Sequence, residues 1–214
     1  HAADPYAYRN VNYDWQAPDV SKWKDRTFLG YHRSDGRVGT ANYWLFIPTV
    51  FCENRNLDVI REAMHNELGY AVTDKYKDFT RGLVTEYVQG PTASTDQAES
   101  GKNSGKKKRV FENVDGIKFL NHQGGCGGTR QDSEILQNLL TAYADHPNVG
   151  GVTILSLGCQ HLQLDAFTEA IKKRNPKFDK PILSFEQQGG MSEEELIKHA
   201  IASTFEGLKT INKQ

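Results

Sequence analysis

The sequence has few cysteines, no long apolar run and no excess of charge of either sign, and each shortage argues against a class of protein. No apolar run approaches the roughly 20 residues that span a bilayer, so the sequence predicts no membrane helix. The 26 basic and 27 acidic residues leave a formal net charge of -1. This balance provides no overall attraction to nucleic acid or to an anionic membrane, and we expect neither as a partner.

The three cysteines, at positions 52, 126 and 159, are an odd number spread widely along 214 residues. A chain of this length can bury a sizeable core without disulfide bonds. We therefore expect reduced thiols, which indicate a cytoplasmic protein. Residues 1–5 show no basic region leading into an apolar one, so they do not resemble a signal peptide.

The sequence divides into an amino-terminal arm, residues 1–26, and an α/β domain, residues 27–214. The arm is rich in Tyr, Trp, Asn, Asp and Pro, and we expect it to be extended, with its aromatic side chains packed on a missing domain or a partner subunit. Residues 90–108 contain no large apolar side chain and predict a mobile surface loop. Its basic end, residues 106–109, is interpreted as solvated rather than as a nucleic-acid patch, since no aromatic residues are interleaved with the charges.

Elsewhere in the domain, short apolar runs alternate with amphipathic stretches. Strands are predicted near residues 42–51, 117–121, 152–157 and 182–185, and helices near 56–68, 74–88, 129–144, 164–174 and 192–211. Strands separated by helices favour right-handed βαβ units. The predicted fold is a Rossmann-like or flavodoxin-like parallel sheet of about four strands, with helices on both faces.

Each cysteine lies just beyond the carboxyl end of a predicted strand. The carboxyl ends of parallel strands share one edge, and ligands bind at that edge in open α/β sheets. Cys52, Cys126 and Cys159 are therefore expected to lie near one another. The same edge is expected to carry four polar side chains: His122, His161, Gln187 and Gln188. The alternatives are that the thiols are buried as small hydrophobic groups and that His122 is a hydrogen-bonded structural histidine.

Two further segments have the composition of an anion site. Residues 124–129 form a glycine-rich turn that opens a helix, so their backbone N–H groups suit phosphate or carboxylate; a tight turn without a ligand is the alternative. The turn matches neither the dinucleotide nor the P-loop pattern, which disfavours a nucleotide. Upstream, Arg33 and Arg37 flank an Asp-Gly pair and could bind a carboxylate through bidentate bonds, or belong to a plain turn.

Several of these segments, taken in order, resemble the altronate/galactarate dehydratase family. The shared segments are residues 28–40, Cys-x-Asn at 52–54, His-x-x-Gly-Cys-Gly at 122–127, and the stretches 148–151, 157–159, 173–176 and 185–188. The resemblance covers about residues 27–208. Two positions depart from the family pattern, since Ala41 stands where arginine is usual and Gln160 where an acidic residue is common.

The resemblance implies an enzyme that removes water from an aldonate or aldarate, such as D-altronate, to give a 2-keto-3-deoxy acid. It also implies iron or another divalent metal such as Mn²⁺, a small sugar acid as ligand, and further amino- and carboxyl-terminal domains of the same enzyme. Such an elimination needs a base for the proton next to the carboxylate, an acid for the departing hydroxyl, and stabilisation of the enediolate.

On this hypothesis Cys52, Cys126 and Cys159 hold iron, as Fe²⁺ or as an iron–sulfur cluster with an open site. His122 or His161 moves protons. Carboxylate binding is assigned to six residues, the two arginines through their side chains and the others through the turn: Arg33, Arg37, Gly125, Gly127, Gly128 and Thr129.

Two other functions stay open, and a homodimer is expected. The chain could be a non-catalytic scaffold and subunit interface, which the aromatic arm and the missing domains favour. Alternatively, Cys126 and His122 could form the thiolate pair of a hydrolase.

Overall fold

The computed structural model describes residues 15–71, 75–90 and 107–214. Most of the predicted polar loop and the first half of the arm lie outside the described residues. The remainder of the arm is exposed and contains a 3-10 turn, Ser21–Trp23. The strands are β1 (Tyr31–His32), β2 (Val38–Gly39), β3 (Tyr43–Pro48), β4 (Gly116–Phe119), β5 (Val149–Ser156) and β6 (Ile182–Glu186), and the helices are α1 (Asn54–Leu68), α2 (Lys75–Gln89), α3 (Arg130–Asp145), α4 (Leu164–Arg174) and α5 (Glu193–Ile211).

Four strands form a parallel sheet in the order β4-β3-β5-β6, which confirms the predicted fold class. Numbered along the chain, this order is second, first, third, fourth, as in flavodoxin-like folds. Pro48 is the last residue of β3, at the end of the strand where proline is tolerated. The direction of winding changes between β3 and β5, so the carboxyl ends of these two strands border the crevice where such folds bind ligands.

Helices cover both faces of the sheet. Helices α1 and α5 pack on one face against Trp44 and Phe46, and α3 and α4 pack on the other against Leu45 and Ile47. Successive side chains of a strand point to opposite faces. Both faces of β3 are therefore buried, which explains its uninterrupted apolar sequence.

The helix ends are determined locally. Ser192 and Glu195 form the predicted capping box at the start of α5. Gly69 follows α1 with φ of 78°, a left-handed conformation that glycine adopts without steric cost. Helix α1 begins at Asn54, earlier than predicted, because a 3-10 turn, Phe51–Glu53, leads directly into it.

Helix α2 differs from the other helices because none of its described side chains is buried, and its apolar ones face solvent. Phe79, Leu83 and Tyr87 are 67%, 51% and 91% exposed. The chain leaves the core after the buried Tyr70 and is back beside it at Lys108, whose carbonyl oxygen would lie 2.5 Å from a Cβ at Gly69. Helix α2 therefore lies in a segment whose two ends are close together in space, beside Gly69. Within the described ranges, no helix combines the length and the apolar character needed to cross a bilayer.

Candidate functional site at the carboxyl edge of the sheet

The loops after β3 and β4 are joined directly at the carboxyl edge of the sheet. The backbone N–H of Phe51 donates to the carbonyl oxygen of Gly124 at 3.0 Å. The side-chain amide of Asn54 donates to the carbonyl oxygen of His122 at 2.7 Å. The neighbouring strands β3 and β5 are hydrogen-bonded along their length, so the loop after β5 lies on the same edge.

All three cysteines lie in these loops and are exposed. The interpretation of the thiols as buried hydrophobic groups is therefore wrong. They nevertheless do not form one ligand group, because in residues 15–71, 75–90 and 107–214 no three Cys, His, Asp or Glu side chains are placed to share a metal ion. Iron ligation by these cysteines stays a prediction. In the described structure the three thiols are not close enough together to bind one iron ion.

Gly125 allows the two loops to approach each other closely. Its φ is 98°, and a Cβ at this position would lie 2.7 Å from the Cα of Val50. Gly127 also has a positive φ, 76°, but a Cβ there would meet open space. A side chain at Gly125 would therefore separate the loops that carry Cys52 and Cys126, whereas one at Gly127 would strain only its own backbone.

The amino end of α3 is capped by its own side chains. Thr129 N–H donates to the carboxylate of Asp132 at 2.8 Å, and the Asp132 N–H donates to Thr129 Oγ1 at 3.2 Å. The bond from the Thr129 N–H and a further bond from the Thr129 hydroxyl to the same carboxylate lower the pKa of Asp132. The carboxylate that occupies this helix start thus belongs to the chain itself. Binding of a substrate anion by Gly125, Gly127, Gly128 and Thr129 stays a prediction, and Thr129 already has a competing partner.

His122 is held by the backbone through both ring nitrogens. Nδ1 accepts from the N–H of Gly124 at 3.1 Å, so Nε2 carries the proton and donates to the carbonyl oxygen of Pro48 at 2.8 Å. This is the arrangement expected for the structural alternative. In this geometry neither nitrogen is directed at the thiol of Cys126, so the thiolate pair of a hydrolase is not formed.

Gln160 organises the loop that carries Cys159 and the exposed His161. Gln160 is buried; its amide NH₂ donates to Ser156 Oγ at 2.6 Å and to the carbonyl oxygen of Leu162 at 3.0 Å, and its oxygen accepts from the Gly158 N–H at 2.8 Å. A carboxylate cannot donate either of the first two bonds. The departure from the family pattern at this position therefore has a structural role in this chain.

The far side of the edge carries the two glutamines that the sequence predicted there. They form a 3-10 turn after β6, Gln187–Gly189, and the N–H of Gln188 donates to the carbonyl oxygen of Leu157 at 3.1 Å. Nearby, a pocket of about 260 Å³ is lined by Gln163, Leu164, Asp165 and Glu186.

Glu53, a carboxylate at this edge that is fully buried, was not among the residues predicted from the sequence. Burial raises its pKa, the hydrogen bond from Asn56 opposes that rise, and the Glu193 carboxylate adds to it. The available signal was a charged residue beside Cys52, in the turn that leads from the strand into the helix.

The two arginines do not join this site, because the structure places them at the opposite, amino edge of the sheet. Arg33 is buried and donates to Pro147 O at 2.8 Å and to Asn42 Oδ1 at 3.0 Å, at the starts of β5 and β3. Arg37 bonds to Asp35 and Asp145 at 2.5 and 2.6 Å. Both belong to the turn of the β1–β2 hairpin, and their guanidinium groups already bind acceptors of the chain.

A doubly wound parallel sheet with exposed thiols and glycine-rich loops at its carboxyl edge is an α/β domain of the kind that binds small molecules there. Residues 30–212 match the family described as "D-galactarate dehydratase/Altronate hydrolase, second domain". The chain belongs to this family, and the match confirms the resemblance seen in the sequence.

Curated relatives carry the same family's names. The chain is 27% identical over 154 residues to the altronate dehydratase of Bacillus subtilis (strain 168), across 72% of this chain and 23% of that protein. It is 24% identical over 153 residues to the altronate dehydratase of Escherichia coli (strain K12), with the same coverage of 72% and 23%. The aligned region is therefore about a quarter of the length of these relatives. No solved structure matches the chain.

Proposed function

We propose that this chain is the second domain of a sugar-acid dehydratase, which eliminates water from an aldonate or aldarate such as D-altronate to give a 2-keto-3-deoxy acid. Family membership and the names of the two relatives support a dehydratase. The structural observation that carries the proposal is the carboxyl edge, where three exposed cysteines and His161 lie in loops beside the change of winding. Small-molecule ligands bind at this position in open α/β sheets.

The proposed reaction removes the proton on the carbon next to the carboxylate and expels the hydroxyl of the following carbon. The C–H electron pair forms the new double bond, the departing hydroxyl takes a proton and leaves as water, and the resulting enol becomes the 2-keto acid. His161, exposed at the edge, is proposed to move one of these protons. His122 is proposed to hold the β4 loop in place, because both of its nitrogens bond to the backbone.

We propose iron, or another divalent metal such as Mn²⁺, as the cofactor of the whole enzyme, because exposed thiols are suitable donors for iron. A bound metal would stabilise the negative charge of the enediolate. Since Cys52, Cys126 and Cys159 are not grouped, the remaining ligands would have to come from other regions of the enzyme.

The test is an assay of 2-keto-3-deoxy acid formation from D-altronate and from galactarate, by a protein that joins this domain to the other regions of the enzyme. Turnover of either acid, reduced at least about 100-fold by His161→Ala, supports the proposal. Absence of turnover on every aldonate and aldarate tested contradicts it. Each of the three cysteines is also replaced by serine. If the variants keep both the iron content and the rate, the thiols are not iron ligands.

A scaffold and dimerisation role is the second candidate, favoured by the apolar surface of α3 as well as that of α2. Ile135, Leu139 and Tyr143 are 60%, 53% and 49% exposed, and their spacing of four residues places them along one side of the helix. Size-exclusion chromatography with light scattering tests this role. A stable, metal-free dimer would support a scaffold, and a monomer would count against it.

A further inference from the structure

The pocket on the β6 side of the carboxyl edge is lined by side chains that carry no positive charge. Its volume is about 260 Å³, and its lining residues are Gln163, Leu164, Asp165 and Glu186. Pockets for drug-sized ligands have volumes of about 300–1,000 Å³, so this one suits a small molecule or one end of a longer one. Its lining combines one apolar side chain, one amide and two carboxylates.

The polar groups of this pocket are mainly hydrogen-bond acceptors. The side-chain amide of Gln163 donates to the carbonyl oxygen of Gln160, and Glu186 Oε2 accepts from Ser156 Oγ at 3.3 Å. Within the part of the chain that the structure describes, the other oxygen of Glu186 and the carboxylate of Asp165 have no hydrogen-bond partner. Hydroxyl groups can donate to such acceptors, whereas a ligand carboxylate has no proton to donate.

The start of α4 contributes positive charge to the pocket, but less than the two carboxylates contribute negative charge. Gln163 is the N-cap of α4, and Leu164 and Asp165 are its first residues. A helix N-terminus corresponds to about half an elementary charge, whereas Asp165 and Glu186 each carry a full negative charge when ionised. The pocket therefore repels a carboxylate.

The strand order places this pocket beside the loop of His161. In the order β4-β3-β5-β6, the loop after β5 lies between the loops that carry Cys52 and Cys126 on one side and the end of β6 on the other. His161 belongs to that loop, is exposed and is two residues from Gln163. A six-carbon acid whose reacting carbons lie at His161 can therefore extend its far end into the pocket, with its carboxylate toward the thiol loops.

We propose that Asp165 and Glu186 make this enzyme selective for aldonates over aldarates. The inference rests on the proposed dehydratase function and specifies its substrate class. The hydroxylated end of an aldonate donates to the two carboxylates, whereas the second carboxylate of an aldarate lies against them. Repulsion between like charges a few ångströms apart is strong enough for a preference of at least about tenfold.

The test compares D-altronate with altrarate, the diacid of the same configuration, as substrates of a protein that joins this domain to the other regions of the enzyme. D-altronate should have a kcat/KM at least about tenfold higher. Glu186→Gln should reduce that preference severalfold, because glutamine keeps the acceptor for Ser156 and removes the charge. Glu169→Gln, one turn further along α4 and exposed, should leave the preference unchanged.

Amide chemical shifts of the 214-residue chain provide a second readout that needs no turnover. Saturating D-altronate should move the signals of Leu164 and Asp165, and altrarate should move them less.

Three results would overturn the inference: no chemical-shift change with either acid, an equal or higher kcat/KM for altrarate, or an unchanged preference in Glu186→Gln. Absence of turnover of both acids by the wild-type protein would instead contradict the dehydratase proposal, and the chemical shifts would still test the pocket.

Discussion

The two edges of the parallel sheet differ in how completely their polar groups are paired. At the amino edge, Arg33 is buried and donates to three different acceptors, and Lys180 donates to the last carbonyl oxygens of α3. At the carboxyl edge, three thiols are exposed and three buried oxygens have no partner. The comparison indicates that polar groups at the amino edge stabilise the fold by pairing with one another, while several at the carboxyl edge stay exposed or unpaired.

The amino edge ties distant parts of the chain together. Arg33 Nη1 reaches Gln214 at the far end of the chain, at 2.6 Å. Burial raises the pKa of Asp145, but hydrogen bonds from Arg37 and Asn175 outweigh it and leave that pKa below its usual value. Burial also lowers the pKa of Lys180 to about 8.

The largest expected effect is at the amino edge. Arg33→Met should lower the free energy of unfolding by about 3 kcal/mol, because it leaves buried acceptors without their donor. Urea unfolding measures this loss. The control is Arg61→Met, whose bond to Asp58 is largely exposed and should contribute below about 0.5 kcal/mol. Equal losses in the two variants would show that Arg33 contributes no more to stability than an exposed ion pair does.

The contact between the carboxyl-edge loops should matter next. Gly125→Ala introduces a Cβ against Val50 and strains a φ of 98°, so it should cost about 2 kcal/mol. Gly127→Ala has the same kind of backbone but open space around it and should cost about 1 kcal/mol. Urea unfolding of both variants separates close packing from backbone strain, and a Gly127 variant as unstable as the Gly125 variant would contradict this account.

Alkaline pH should act on the amino edge through Tyr70. Its buried hydroxyl donates to the carbonyl oxygens of Phe111 and Val114, and burial raises its pKa to about 12. Between pH 10 and 12 the unfolded chain releases this proton while the folded chain keeps it. Stability is therefore complete below pH 10 and should fall by up to about 1.4 kcal/mol per pH unit above it.

Tyr70→Phe provides the control for that pH dependence. It should be less stable at pH 7, where two carbonyl oxygens lose a donor, yet show a flatter decline between pH 10 and 12. Urea titrations at a series of pH values compare the slopes. Parallel curves for the variant and the wild type would mean that other groups cause the alkaline loss.

The smallest effect is expected at the exposed thiols. Cys52→Ser, Cys126→Ser and Cys159→Ser should each change the free energy of unfolding by less than about 0.5 kcal/mol, as is usual for exposed positions. A thiol-specific reagent should titrate all three cysteines without denaturant. A thiol that reacts only after unfolding, or a serine variant that is clearly less stable, would show that the carboxyl edge also supports the fold.

Local patterns predicted most of the fold. The apolar sequence of β3 indicated a strand buried on both faces, Ser192 and Glu195 marked the start of α5, and Gly69 marked the end of α1. These signals work because capping and strand burial depend on residues close in sequence. The prediction that the three cysteines lie at one edge followed from the parallel direction of the strands.

The candidate site was predicted less completely, because many of its contacts join residues that lie far apart in the sequence. Arg33 and Arg37 seemed suited to a carboxylate, but their acceptors at Pro147 and Asp145 lie 114 and 108 positions away. Composition alone does not tell at which edge the hairpin packs. Similarly, Glu53 is buried because other parts of the fold pack around its turn, and the local sequence does not predict this packing.

The alternation of strands and helices, the parallel direction of the strands and the family could all be predicted from the sequence, because each depends on short motifs or on periodicity. The tertiary structure was needed to show that the arginines bond at the amino edge, that His122 bonds to the backbone through both nitrogens, and that Glu53 is buried. The hydrogen bonds and the burial of a side chain depend on which distant segments pack against it. Those contacts form only when the helices pack on the sheet.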